Sequence, residues 1–401
     1  MQNFLVISDL HVSDDATVDS GPSLISINPK SGKLGDTMFR ELVNCVKAEG
    51  ISIDWIVCPG DLGDRANQAG QKYAWENLDR LKGELGCKFL IGTAGNHDLD
   101  SRLATNEFDP KANLQSLLPL FPGITQEDCD KYWARHFCFY VNDGVRVLNL
   151  HSSAYHGYAS SAGEPEHLHG RVSPRTIDEI CAELKGVDAD VNILLTHHHL
   201  LKNDHIYDRD NSEMSGAGRL LNKLTDATKR PWIVLHGHQH FPEIDYGRGA
   251  GNAPIVISAG SFSARLSGVH AAASPNQFYV VELDKPDPLQ DGWFPCGKIK
   301  AWHWSPEGFW EKTPMAHRIP YGAGFGCRMN PWQSSRRVIG ALSESTQPYL
   351  TLQEILNLEP LLGYMMPRDF GLLIWELERS GVKVTKAFDF METTFRKLAV
   401  S

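Results

Sequence analysis

Five short blocks of this sequence put acids, amides and imidazoles directly after apolar runs. They are Asp9-Leu10-His11, Gly60-Asp61-Leu62-Gly63-Asp64, Gly95-Asn96-His97-Asp98, His197-His198-His199 and His236-Gly237-His238-Gln239-His240. Carboxylate, imidazole and amide oxygen together suit Mn, Fe or Zn. No block offers a thiolate, and an all-oxygen Mg or Ca cage has no use for so many histidines. The blocks carry donors enough for two ions. One carboxylate can bridge a pair of ions about 3.5–4 Å apart, the separation used in two-metal hydrolysis.

The elements that must position these donors are readable around them. Phe4–Ser8, Asp54–Gly60, Lys88–Gly95, Val145–His151, Val191–His197, Pro231–Gly237 and Pro254–Gly260 are short, continuously apolar runs that read as buried strands. Thr37–Ala48 and Lys72–Leu85 carry apolar residues near a 3.6 period. Ser173 followed by Pro174 marks the start of a helix over Thr176–Leu184. Strand–helix alternation points to layered α/β packing, in which ligands collect outside the carboxyl ends of strands. The spacing therefore predicts that the loops after separate strands converge on one rim.

Past residue 275 the texture changes. Phe278–Asp284 and Gly297–Trp304 read as half-exposed strands, and Tyr321–Gln333, rich in Gly, as a linker. Leu350–Leu362, Phe370–Ser380 and Phe388–Leu398 read as short helices. This divides the chain into a body over 1–320 and an accessory region over 321–401. Within the body, 100–143 is long for a single crossover, and its apolar residues suggest a helical insertion bordering the site.

Composition excludes several classes. The 401 residues carry a net charge of −10, so the chain is no polycation for bulk nucleic-acid binding. Residues 321–401 hold 9 Lys/Arg and 8 Asp/Glu, a net +1 that leaves −11 on the body. The 8 cysteines are widely spaced, with no C-x-x-C and no disulfide framework. No run approaches the length of a membrane span, and the start shows no leader pattern. The expectation is a cytoplasmic protein with no membrane association.

Taken together and in order across residues 9–240, the blocks resemble the calcineurin-like metallophosphoesterase superfamily. Its pattern is D-x-H, G-D-x-x-D, G-N-H-[DE], a lone H and G-H-x-H. The resemblance implies a four-layer α/β/β/α sandwich with a small, mostly helical C-terminal region. It also implies hydrolysis of a phosphate ester by a metal-bridging hydroxide. Asp9, His11 and His240 would hold one divalent metal (Mn, Fe or Zn), Asn96, His198 and His238 the other, and Asp61 would bridge them. His97 would act on the reacting phosphate as the catalytic group, Asp98 would orient and charge it, and Asp64 would tie down a loop or a ligand imidazole. The lone histidine depends on register. An H-x-P register, with Leu200 where the proline would stand, selects His198, and a register one earlier makes it His197.

The stretch Ser152–Pro174 and the later Gly260–Ala264 resemble cyclic-nucleotide-type members. The expected substrate is therefore a phosphodiester: a nucleotide, cyclic nucleotide or nucleic-acid strand. A phosphomonoesterase using the same site, or a metal-filled but idle platform recruiting partners or a second copy through 321–401, are the alternatives. His156, His167 and His169 read as loop residues, His205 and Lys202 as surface or phosphate-facing, and His136, His270, His303 and His317 as structural. Trp302, Trp304 and Trp310 read as strand-pair packing rather than a base-stacking platform. Arg328, Arg336 and Arg337 read as a solvated basic group.

Overall fold

The computed structural model describes residues 2–15, 21–29, 34–104, 106, 108–157, 166–186, 188–202, 212–247, 252–266, 274–284, 294–386 and 393–397. In chain order the elements begin β1 (Gln2–Val6), α1 (Leu34–Ala48), β2 (Trp55–Cys58), α2 (Gln68–Leu85) and β3 (Phe89–Gly92). There follow α3 (Ala112–Gln115), α4 (Gln126–Arg135), β4 (Phe137–Asn142), β5 (Val145–Leu150), α5 (Pro174–Leu184) and β6 (Val191–Leu195). Next come α6 (Ala217–Thr228), β7 (Trp232–His236), β8 (Glu243–Tyr246), β9 (Ile255–Ser258), β10 (Gln277–Asp284), β11 (Cys296–Trp304), β12 (Trp310–Lys312) and β13 (Ala323–Phe325).

Two mixed sheets form from these strands. The first runs β12-β11-β10-β1-β2-β3, with β13 also paired to β11; the second runs β4-β5-β6-β7-β9-β8. β1, β2 and β3 are parallel to one another, as are β5, β6, β7 and β9, and antiparallel strands lie outside them. Successive side chains on each strand point to opposite faces, and both faces are covered. Phe4, Val6, Trp55 and Val57 meet Ile193, Leu195, Ile233 and Leu235 in the core between the sheets. Leu5, Ile7 and Ile56 turn the other way onto Met38, Leu42 and Leu78 of α1 and α2. Leu194 and Val234 pack on Ile177 and Leu220 of α5 and α6. That is the four-layer arrangement, and it explains why these strands read as unbroken apolar runs.

α5 starts as the sequence indicates, with the Ser173 hydroxyl accepting from the Thr176 N–H and Pro174 in the first turn. β10 differs from expectation: residues 277–281 are all buried, because the strand lies between β1 and β11 rather than at an edge. Among the described residues of 100–143, helix is confined to α3 and α4, and the stretch ends in β4, an edge strand. Trp302 stacks on Phe278 at 4.9 Å and Trp304 meets Trp310 at 5.0 Å, so these rings serve as core.

The chain continues through α7 (Pro331–Glu344), β14 (Leu350–Thr351), α8 (Leu352–Leu358), α9 (Pro367–Arg379), β15 (Val382–Thr385) and β16 (Thr394–Lys397). A three-stranded antiparallel sheet, β14-β16-β15, backs the helices around Val338, Ile355, Leu377 and Phe395. The helix expected over Phe388–Leu398 is corrected: its described part is strand. Thr393 and Phe395 alternate inward, and β14 and β15 pair with the strand from both sides. Tyr321–Gln333 is no loose linker, since Ala323–Phe325 extends the first sheet and α7 begins at Pro331. Arg328 lies over the Tyr246 ring, Arg336 over Trp332, and Arg337 pairs with Glu359, so these cations are spent on local contacts. No described helix is long and apolar enough to cross a membrane.

Candidate metal centre

The donors sit where β1, β2, β3, β6 and β7 end. Asp9, His11, Asp61, His238 and His240 all have φ between 50 and 76°, the left-handed region that non-glycine residues rarely occupy. Five such residues in one site point to strain held in place for function. The turn at the end of β1 is fixed from behind. Ser261 Oγ donates to the Asp9 carbonyl at 2.6 Å, and Ser263 Oγ to the Leu10 carbonyl at 2.7 Å. This gives the Gly260–Ala264 segment a positioning role that its sequence did not disclose.

Two groups of ligand atoms face one another. In one, His240 Nε2 lies 3.4 Å from Asp9 Oδ1 and 3.0 Å from His11 Nε2. In the other, Asn96 Oδ1 lies 2.9 Å from His197 Nε2 and 3.1 Å from His238 Nδ1. Asp61 Oδ2 stands between them, 3.4 Å from His11 Nε2 and 3.4 Å from His197 Nε2.

The histidine meeting Asp61 and Asn96 is His197, not the His198 that the H-x-P register selects. His197 Nδ1 is 2.9 Å from the Pro59 carbonyl, which can only accept, so Nδ1 carries the proton and Nε2 offers its lone pair to the cluster. His198 also comes close, its ligand nitrogen lying within 4.8 Å of those of His197 and His238. Its Nδ1 is engaged with Ser152 Oγ at 2.9 Å and its buried Nε2 has no hydrogen-bond partner, but no contact to Asp61 or Asn96 joins it to the bridging position as His197 is joined.

Asp98 likewise has a different place from the one expected. Its carboxylate accepts from the backbone N–H groups of Asp61, Leu62, Gly63 and Gly95 at 2.8–3.2 Å, tying two loops together. The group on the His97 ring is Asp64, whose Oδ1 lies 2.9 Å from His97 Nδ1 and 3.6 Å from His11 Nδ1. Asp98 is fully buried and cannot reach outward, whereas the Asp64 side chain is partly exposed beside His97.

These residues fit a pair of cations. Asn96 Oδ1 and the lone pair of His197 Nε2, both acceptors, lie 2.9 Å apart, and a cation held by both would remove the repulsion. Burial, then the charges of Asp98 and Asp9, pushes the Asp61 carboxyl well above the usual range. Burial drives His11 down to about 4 and His197 to about 3. Burial also opposes the charge on Asp9, but the His240 hydrogen bond and the surrounding imidazoles outweigh it and hold that carboxyl low. Neutral imidazoles grouped around carboxylates are what a divalent ion requires.

The model of the calcineurin-like phosphoesterases matches residues 2–252. The chain belongs to that family. It is 25% identical over 234 residues to a cAMP/cGMP dual specificity phosphodiesterase of Mycobacterium tuberculosis, a match covering 58% of this chain and 61% of that protein. Among solved structures it is similar to a purple acid phosphatase from yellow lupin (TM-score 0.46, 14% identity, 75% of this chain and 51% of that one). It is also similar to a 5′-nucleotidase precursor from Thermus thermophilus (TM-score 0.39, 14% identity, 77% and 55%). Membership of that family, together with the His/Asp cluster, points to a dinuclear divalent metal site.

The remaining histidines are used locally. His156 is buried, its Nε2 3.1 Å from the His169 carbonyl, and His236 Nδ1 lies 3.0 Å from the Gly237 carbonyl. His303 and His317 stack on each other at 5.6 Å, away from the cluster. His205 and His270 lie outside the described residues, as does 158–165 of the stretch Ser152–Pro174.

Proposed function

We propose that this chain hydrolyses a phosphodiester of nucleotide type. The observation that carries the reading is Asp61 Oδ2, equidistant from the imidazoles of two ligand groups, as a bridging carboxylate must be. Asp9, His11 and His240 would hold one ion and Asn96, His197 and His238 the other, with Asp61 common to both. The nitrogen and oxygen donors suit Mn, Fe or Zn. Such ions, when bound, lower the pKa of water and draw charge from phosphoryl oxygens.

The protein's own residues supply the rest. The His97 side chain is 33% exposed, with Asp64 fixing its Nδ1–H, so its Nε2 faces outward to stabilise charge or protonate the departing oxygen. Asp98 keeps the Asp61 and Gly95 turns in register through the backbone. Kinship with a cyclic-nucleotide phosphodiesterase supports a diester over a monoester, and residues beyond β13 would form an accessory unit.

The test uses the full chain, stripped with chelator and reloaded with Mn²⁺, Zn²⁺ or Fe²⁺, on bis(p-nitrophenyl) phosphate and p-nitrophenyl phosphate. Metal-dependent preference for the diester is expected. Preference for the monoester would make it a phosphomonoesterase, and no turnover under any metal would make it an idle platform.

A further inference from the structure

Beside the metal centre lies a second cleft of about 530 Å³, lined among others by Asp14, Asp15, Asp64, Arg65, Asn67 and Asn113. That volume is in the range of small-molecule sites. The cleft adjoins the centre through two of its wall residues: Asp64 holds the His97 ring, and Ala66 donates its N–H to the His97 carbonyl at 2.7 Å. Arg65 and Ala66 shape this lip with φ of 48° and 58°. Asn67 is locked, its amide donating to Asp14 Oδ1 at 2.7 Å and its carbonyl oxygen accepting from Gly70 N–H.

We propose that this cleft receives the leaving group of the diester and selects one that is uncharged and rich in hydroxyl or amide groups, as a nucleoside is. The inference rests on the phosphodiesterase reading above. In hydrolysis, water forms the new P–O bond, the bond to the leaving oxygen breaks, and that oxygen takes a proton on the side where His97 stands. Whatever it is attached to therefore extends past His97 and Asp64 into the cleft. Among the described residues of the lining, Asp14, Asp15 and Asp64 face one guanidinium, Arg65, itself 3.8 Å from Asp64. A further phosphate there meets like charge, at distances inside the roughly 8 Å over which physiological salt screens. The wall amides of Asn67 and Asn113 are engaged with Asp14 and the Ala66 carbonyl, so the lining carboxylates are the groups that would accept from the hydroxyls or N–H groups of a sugar or base.

The dinucleotide TpT and its 5′- and 3′-phosphorylated forms test this, with the products identifying which P–O bond is cut and hence which fragment leaves. A phosphate on the leaving fragment is expected to lower kcat/KM about ten-fold or more, and the same phosphate on the retained fragment much less. Asp14→Asn/Asp15→Asn should recover at least three-fold of that penalty, and Arg65→Gln should deepen it. Equal penalties at both ends, or a penalty neither variant moves, overturn the inference. So does cleavage of bis(p-nitrophenyl) phosphate without cleavage of TpT, which leaves the parent reading standing. Failure to cleave any diester overturns both.

Discussion

His197 and His198 follow one another at the end of β6, and only the first has its tautomer dictated by a carbonyl, that of Pro59. Replacing it with alanine removes a lone pair aimed at Asp61 and Asn96. His197→Ala should lose one metal equivalent by elemental analysis and about 100-fold or more in rate, since even contacts behind a ligand are worth 10–100-fold. His198→Ala should keep both equivalents with less than about ten-fold loss; the reverse pattern would return the assignment to His198. His97→Ala should cut kcat by about 10²–10⁴ with both ions retained, and an unchanged rate would remove it from the chemistry. The sequence made the donor types legible, but three consecutive histidines leave register open. Which of them faces the centre depends on where the strand stops, and β6 ends at Leu195. The role of Asp98 was illegible for a related reason: a carboxylate that accepts four backbone N–H groups is indistinguishable, in one dimension, from one that orients an imidazole.

At the scale of elements, the glycines of the motifs are needed because two strand-end turns press together. A side chain on Gly95 would put its Cβ 2.1 Å from Asp61 Oδ1, and one on Gly60, at φ 116°, would meet His197 Nδ1 at 2.7 Å. Gly95→Ala must therefore displace the Asp61 carboxylate before it disturbs any core layer. The expected result is loss of metal and a rate down about 100-fold or more, with thermal stability of the metal-free protein changed only slightly. Full metal occupancy in that variant would show the turn to be more pliable than its contacts indicate. The strands were legible because both their faces are buried, which makes the apolar runs continuous. β16 was not: its pairing with β14 and β15 is a long-range event that local periodicity does not encode. The burial of β10 was missed likewise, because its position between β1 and β11 is a property of topology.

For the molecule as a whole, the decisive electrostatic feature is the number of imidazoles enclosed uncharged. Burial takes His11, His136, His156 and His236 to about 4 and His197 to about 3, while His151, His198 and His238 go well below their ordinary range. In the unfolded chain each titrates near 6.5. Below that pH the unfolded state binds more protons than the folded one, so the stability these groups contribute is complete above about 6.5 and is lost as pH falls toward 4 and 3. Asp98, raised to about 6 chiefly by burial, and Asp61, raised well above its usual range by burial and then by the charges of Asp98 and Asp9, act in the opposite sense, contributing stability in acid that is lost as pH rises. They are outnumbered. Chelated protein should therefore melt at progressively lower temperature from pH 7 to 5.5 to 4.5. Added Mn²⁺ should raise Tm at pH 7 by linkage to the folded state, and that gain should shrink on acidification, because protons compete with the ion for the same nitrogens. A Tm that is flat or rising as the pH drops would mean that these imidazoles are not held neutral by the fold, and a metal-induced gain independent of pH would mean that they are not the ligands.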